Sequence, residues 1–258
     1  MGKKICIFIA IFYVFAFDNF SLAQFQEEGN FEKINIKANI SFEYFNRTIS
    51  WDDECKSSLK SYFLTLSPEY KTQGGFSLKP ILGYSISNFD SLIFKKLPLS
   101  TELEVGGING FILGGEIQKD FFSIQDFMIG VQSQFIYYIG LEKEWEIPGL
   151  AVEGTVKGRP SWMRFFIGPV ITYDAFDYFS PYISVNYNKL WGTFSLEESI
   201  QELEGKEDKK ISGMSKLSIA LGGSFELLKS FLIKSEACFM PYKDGIDFGI
   251  KVRVLYEF

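Results

Sequence analysis

Histidine is absent from this chain of 258 residues. Nucleophilic catalysis by Ser or Cys ordinarily recruits an imidazole as base, and imidazole is the commonest transition-metal ligand. The absence therefore removes the usual catalytic triads and most transition-metal centres together. Cysteine is scarce as well, with three in all: Cys6, Cys55 and Cys238. Positive charge is in the minority, 26 Lys and Arg against 32 Asp and Glu, and the net charge of −6 argues against a nucleic-acid partner, whose usual footprint is a basic stripe. Long apolar runs are missing beyond the N-terminus. The uncharged stretch 127–141 is too brief to cross a bilayer as a helix, and it is rich in β-formers.

What is present is aromatic. Phe, Trp and Tyr make up 17% of the chain, with 28 Phe and 13 Tyr, yet only 22% is charged and the mean hydropathy is close to zero. A helical membrane protein of this size would be far more apolar. A chain that hides its apolar residues in strict alternation stays near neutral on average. The length suits one undivided β-domain.

The first residues form three regions: Lys3 and Lys4, the uncharged run Ile5 to Phe17, and the small-residue site Ser21-Leu22-Ala23. This is the layout of a secretory signal peptide, with cleavage expected between Ala23 and Gln24, so residues 1–23 are read as leader and 24–258 as the mature domain. Cleavage removes Cys6 and leaves Cys55 and Cys238. An exported compartment permits a bridge between them, and spacing does not decide whether they meet.

The end of the chain, Asp247 to Phe258, alternates without a fault on one face. Phe248, Ile250, Val252, Val254, Tyr256 and Phe258 share one parity; Asp247, Gly249, Lys251, Arg253, Leu255 and Glu257 share the other. Lys33 to Tyr44 mirrors it, with Ile34, Ile36, Ala38, Ile40, Phe42 and Tyr44 opposite Lys33, Asn35, Lys37, Asn39, Ser41 and Glu43. Each is a strand with an apolar and a polar face, and two such strands at the ends of a chain can pair and close a sheet.

A final strand that stops on an aromatic, Phe258, with Tyr256 two before it, resembles the closing strand of bacterial outer-membrane β-barrels. The resemblance implies a transmembrane, antiparallel, up-and-down barrel in the cell outer membrane. It also implies that Tyr256 and Phe258 form the signal read by the barrel-assembly machinery. The enzymes of that class largely depend on a catalytic histidine, so no enzymatic activity, cofactor or metal is expected here.

Between the end strands the alternation predicts about twelve strands, with ten as the alternative if one weak hairpin folds into a loop. The candidates are 33–44, 61–70, 76–86, 99–105, 111–117, 127–141, 150–156, 163–174, 181–194, 216–228, 231–240 and 247–258. Pro68, Pro80 and Pro169 are blemishes, because proline removes a ladder donor. Loops at 47–59, 88–97 and 196–212 are placed on one side. Turns at 72–75, 106–110, 175–180 and 228–230 are placed on the other, the asymmetry usual for such barrels. The most polar tract, Glu197 to Lys210, reads as a solvated loop.

If the apolar parity meets lipid, the other lines the lumen. The expected lining includes Lys33, Lys37, Glu43, Glu69, Glu102, Glu104, Glu153, Arg164, Lys234, Glu236, Lys251 and Arg253. Cations and carboxylates in comparable number fit either a wet, weakly selective pore or a lumen filled by ion pairs. The acid pairs Asp52-Asp53 and Glu102/Glu104 lack a nucleophile or oxyanion-hole element and read as acidic rows. Trp and Tyr near strand ends read as interface anchors. Three functions follow: a small porin-like channel for passive diffusion; a closed barrel binding a surface partner through loops 47–59 and 197–212; or a soluble secreted barrel with a ligand inside. Outer-membrane lipid and the assembly machinery are the expected partners, and nucleic acid is not.

Overall fold

The protein is described from a computed structural model, which covers residues 35–52, 55–72, 74–90, 92–94, 101–103, 106–146, 154–200, 203–228 and 230–257. Residues 1–23, expected from the sequence to be a leader, lie outside these residues, as do Lys33 and Phe258. No helix occurs among them. Period-two sequences with one apolar face must pair to satisfy their backbone, and here they pair in chain order until the last meets the first. The wall strands are β1 (Asn35–Trp51), β2 (Cys55–Leu66), β3 (Phe76–Phe89), β4 (Gly107–Ile124), β5 (Phe127–Gly140), β6 (Gly154–Tyr173), β7 (Phe179–Ile200), β8 (Leu217–Leu228), β9 (Phe231–Tyr242) and β10 (Gly245–Glu257). Every neighbour is antiparallel, and β10 closes on β1 from Lys37–Glu257 to Asn46–Phe248. Closure leaves the ring without an exposed edge.

Of the two expected counts, twelve strands and the alternative ten, the wall has ten. Of 99–105 only 101–103 are described, and they are not part of the wall. Thr101–Leu103 pairs only with Leu92–Phe94, as a small ladder off the main sheet. Of 150–156, residues 150–153 lie outside the described set and the remainder opens β6. The error came from element length. A tilted crossing needs ~9–11 residues, whereas β4, β6 and β7 run for 18, 20 and 22. The glycines at 106–107 are not a turn on the terminal side. Gly107 begins β4 at the loop end, after Gly106 at φ 59°. Within 47–59 and 196–212, residues 47–51, 55–59, 196–200 and 203–212 are paired strand, not loop. Pro80 and Pro181 sit in the wall opposite Gly115 and Gly223, where the facing residue has no side chain to crowd the ring.

The ring changes size along its axis. The β9–β10 hairpin turns at Lys243–Asp244, below the top of its neighbours. Above it the segment Leu203–Gly213, which returns alongside β7, pairs directly with β1 through Ile49–Gly213, Ser50–Ser212 and Trp51–Ile211. Ten strands thus become eight at the loop end.

Side-chain chemistry inverts at the same height. In β1 the inward positions Asn39, Ser41 and Glu43 give way to Phe45, Ile49 and Trp51, while outward Ile40, Phe42 and Tyr44 give way to Asn46, Thr48 and Ser50. In β7 inward Ser184, Asn186 and Asn188 are followed by Leu190, Phe194 and Leu196, and outward Ile183, Val185 and Tyr187 by Lys189, Thr193 and Ser195. The lower part is apolar outside and polar inside; the upper part is built like a water-soluble core.

Around the lower part the exposed side chains include Phe42, Leu64, Leu82, Phe111, Phe135, Ile171, Val185, Leu221, Val252 and Val254. Aromatic pairs bound this belt. Tyr44–Tyr62 at 4.9 Å, Tyr84–Phe111 at 6.3 Å and Phe239–Phe248 at 5.6 Å mark the upper border. Phe127–Tyr173 at 4.8 Å, Phe179–Phe225 at 4.5 Å and Phe231–Tyr256 at 5.0 Å mark the lower. A bulge between Asp120 and Phe122 adds Phe121 beside Phe122 on that border. An apolar belt between aromatic girdles is a lipid-facing surface, and it overturns the soluble barrel whose apolar faces would turn inward.

Candidate functional site: the filled interior

The belt-level interior is an ion-pair network organised on Glu116 of β4, whose side chain is buried. Its Oε1 lies 2.8 Å from Arg253 Nη1 and 3.1 Å from Lys79 Nζ; its Oε2 accepts from Gln134 Nε2 at 2.8 Å and lies 3.6 Å from Lys251 Nζ. Glu69 adds a second carboxylate to Lys79 at 3.4 Å and accepts from Ser77 Oγ at 2.9 Å. Glu43 lies 3.6 Å from Lys251 and accepts from Arg164, which also donates to Gln134 Oε1 at 2.9 Å. Tyr182 donates to Glu236 Oε2 at 2.8 Å. Alternation aims these residues inward, and ring closure brings strands distant in sequence face to face: Glu43 and Arg164 are 121 residues apart.

Arg164 is also the border post. Its guanidinium stands 5.4 Å from the Phe45 ring and 5.6 Å from Phe63. Above it Trp162, fully buried, stacks on Tyr138 at 5.1 Å and on Phe63 at 5.7 Å, with Phe45 edge-on at 5.6 Å. Trp51, Phe89 and Phe194 form a second layer at 5.4–6.1 Å. Ile49, Leu59, Ile108, Ile112, Leu190, Leu196 and Ile211 fill the spaces. A ring of about eight strands has an interior just wide enough for side chains to fill. Small cavities lie inside the wall. One of about 10 Å³ is bordered by Asn39, Lys79 and Glu116, and one of about 40 Å³ by Arg164, Asn186 and Glu236, room for a water or a few.

Where ten strands become eight, the wall has backbone groups to satisfy. Asp247 Oδ1 accepts from Thr48 N at 2.9 Å and Thr48 Oγ1 at 2.8 Å, and its Oδ2 accepts from Ser215 Oγ at 2.6 Å. Arg47, at 0% exposure, donates to Ser215 O and to Asn188 Oδ1, both at 2.8 Å. Outside the wall, Lys56 reaches Asp244 of the β9–β10 turn, and that hydrogen bond raises the ammonium above the ordinary lysine value.

Of the residues expected to line the lumen, Glu43, Glu69, Arg164, Lys234, Glu236, Lys251 and Arg253 stand on the inner face, and Lys37 pairs with Glu257 at 2.7 Å near the terminal mouth. Glu102 belongs to the small ladder off the wall. Lys33, Glu104, Glu153 and Phe258 lie outside the described residues. Tyr256 faces outward against Phe231. Cys55 is exposed at the loop end and Cys238 stands in the interior; both are free thiols. The aromatic plug escaped the sequence reading. Its signal is the inversion of polarity at constant parity beyond Tyr44 and Asn188.

A closed antiparallel ring with a lipid-facing belt, two aromatic girdles and a charged interior defines an integral β-barrel of the bacterial outer-membrane class. Solved structures similar to this chain are of that class. One is a deltaS2 mutant of TodX, a monoaromatic hydrocarbon channel of Pseudomonas putida (TM-score 0.39, 11% identity over 85% of this chain). This chain spans 66% of the length of that TodX chain. Others are the outer membrane protease OmpT of Escherichia coli (TM-score 0.44, 9% identity, 90% of this chain and 99% of that one) and an outer membrane channel of Pseudomonas putida F1 (TM-score 0.41, 8% identity, 90% and 100%). No protein-family model matches the chain, and no curated protein sequence does.

Proposed function

We propose that this outer-membrane barrel is closed, and that it acts through the part of its wall that stands above the lipid belt rather than by conducting solutes. The observation that carries this reading is the aromatic plug: Trp162, Trp51, Phe89 and Phe194 occupy the axis of the upper ring, where a passive channel needs a continuous water path. The two hairpins expected to bind a surface partner stand side by side in this upper wall. Trp51 pairs with Ile211, and Asp52 N–H donates to Lys210 O at 3.1 Å. They offer a partner one continuous sheet surface, polar outside, instead of two separate loops. The reading assigns no catalysis or cofactor to the chain, and gives Tyr256 with Phe258 to recognition by the barrel-assembly machinery.

The test is single-channel recording of the mature protein, 24–258, refolded and inserted in a planar bilayer. The expected result is insertion without discrete conductance steps. A Trp162→Gly/Phe194→Ala double variant, opening both layers of the plug, is expected to produce steps. Regular steps from the unaltered protein would return the passive-channel reading.

A further inference from the structure

The return segment Leu203–Gly213 outlasts the strand that closes on it. On one side it pairs with β7 along nearly its whole length, from Trp191–Ser212 to Ile200–Leu203. On the other it meets β1 only through Ile49–Gly213, Ser50–Ser212 and Trp51–Ile211, and β1 then turns away at Asp52, whose φ is 46°. Two hydrogen bonds end the seam: Asp52 N–H donates to Lys210 O at 3.1 Å, and Lys210 N–H donates to Asp52 Oδ1 at 3.0 Å. Among the described residues, no strand covers that side from Leu203 to Lys209.

Backbone groups alternate between the two edges of a strand. Lys210 turns its N–H and C=O toward β1, so Asp208, Lys206 and Glu204 turn theirs the same way, into the space above Asp52. That is an open sheet edge. Its outward side chains, Glu204, Lys206 and Asp208, are exposed and alternate in sign, while Glu207 and Lys209 face inward and pair at 3.7 Å. Lys206 leans toward Glu197 of β7 at 2.5 Å, an exposed pair that holds the lysine weakly and leaves it open to a second carboxylate. Opposite charges directly across two strands attract and like charges repel, so this row admits few sequences. β1 sets the direction, because a further strand continues its line, antiparallel to 203–209. The same edge of a second barrel in the membrane descends as this one does and does not supply that strand.

We propose that the edge 203–209 binds an extended segment of a partner protein by strand addition, antiparallel, with cationic side chains opposite Asp208 and Glu204 and an acidic one opposite Lys206. This deepens the reading of the upper wall as the acting surface and rests on it.

The test uses the refolded mature protein in detergent and two labelled peptides, read by fluorescence anisotropy. Thr-Lys-Thr-Glu-Thr-Lys-Thr carries the complementary pattern, and Thr-Glu-Thr-Lys-Thr-Glu-Thr the inverted one. The first is expected to bind about tenfold more tightly or better. Lys206→Pro removes a donor from the open edge, spares the ladder with β7 and follows a glycine, so it is expected to fold and to weaken binding by about tenfold or more. Lys206→Gln keeps the N–H and is expected to lose less than Lys206→Pro. An unchanged heat-modified gel shift confirms folding of both variants, and the comparison of peptides needs neither. Equal binding of the two peptides, binding of neither, or undiminished binding by Lys206→Pro would overturn strand addition. A silent barrel that ignores both peptides loses the edge and keeps its closure, whereas conductance steps overturn closure whatever the peptides do.

Discussion

Glu116 shows how a buried charge is tolerated in a barrel: it has more partners than it could keep on a surface. Its two oxygens face Arg253, Lys79, Lys251 and Gln134. Taking one member from such a set leaves the others as buried charges without compensation, at a cost of about 3–5 kcal/mol. Glu116→Gln is therefore expected to lower stability by about that amount in urea unfolding followed by tryptophan fluorescence. Lys37→Gln removes only the part-exposed pair with Glu257 and is expected to change stability by less than about 1 kcal/mol. If the two variants unfold together, water rather than Glu116 solvates the interior cations.

At the scale of the element, strand length is the main departure from expectation. A wall built only to cross lipid would stop at the girdles. β6 and β7 continue well past them, and Leu203–Gly213 returns beside β7 to meet β1. The price of this change in strand number falls on the split above β9–β10, where Asp247 and Arg47 supply the hydrogen bonds that a regular ladder would make. Asp247→Ala leaves Thr48 N–H and Ser215 Oγ without their acceptor and is expected to cost about 1–3 kcal/mol. Hydrogen exchange should report it locally, with faster exchange across 47–51 and 203–216 and unchanged protection in β5. Acceleration spread evenly round the ring would mean that the split is not a separate cooperative unit.

For the whole molecule, two solvents dictate two constructions from one continuous wall. Within the belt a lysine on the outer face must enter hydrocarbon. Above it, the same substitution meets water. Val252 stands between the girdle residues Phe248 and Tyr256, so Val252→Lys is expected to cost about 2–4 kcal/mol in a lipid-refolding titration. Thr193→Lys, outward on β7 above Lys189, is expected to be nearly neutral. Equal costs at both positions would place the membrane border wrongly.

Much was legible from residues alone. Asp247 to Phe258 and Lys33 to Tyr44 announced strands with one oily and one polar face, seen in the described residues 247–257 and 35–44, because side-chain direction along a strand depends only on parity. Alternation also identified Glu43, Arg164, Lys251 and Arg253 as members of the polar face. Strand number was left between twelve and ten: the Gly106-Gly107 pair has the chemistry of a turn, and only the pairing of Gly107 with Asn88 shows that β4 begins there. Whether the interior is open was not legible either, since it depends on which residues meet across the axis. Glu43 faces Arg164, and Trp162 faces Phe45 and Phe63, only because the ring closes at a particular size and then narrows. Local alternation, set by covalent geometry, determined strand faces and class. Ring closure, a long-range balance of pairing and packing, decided that the upper barrel is filled.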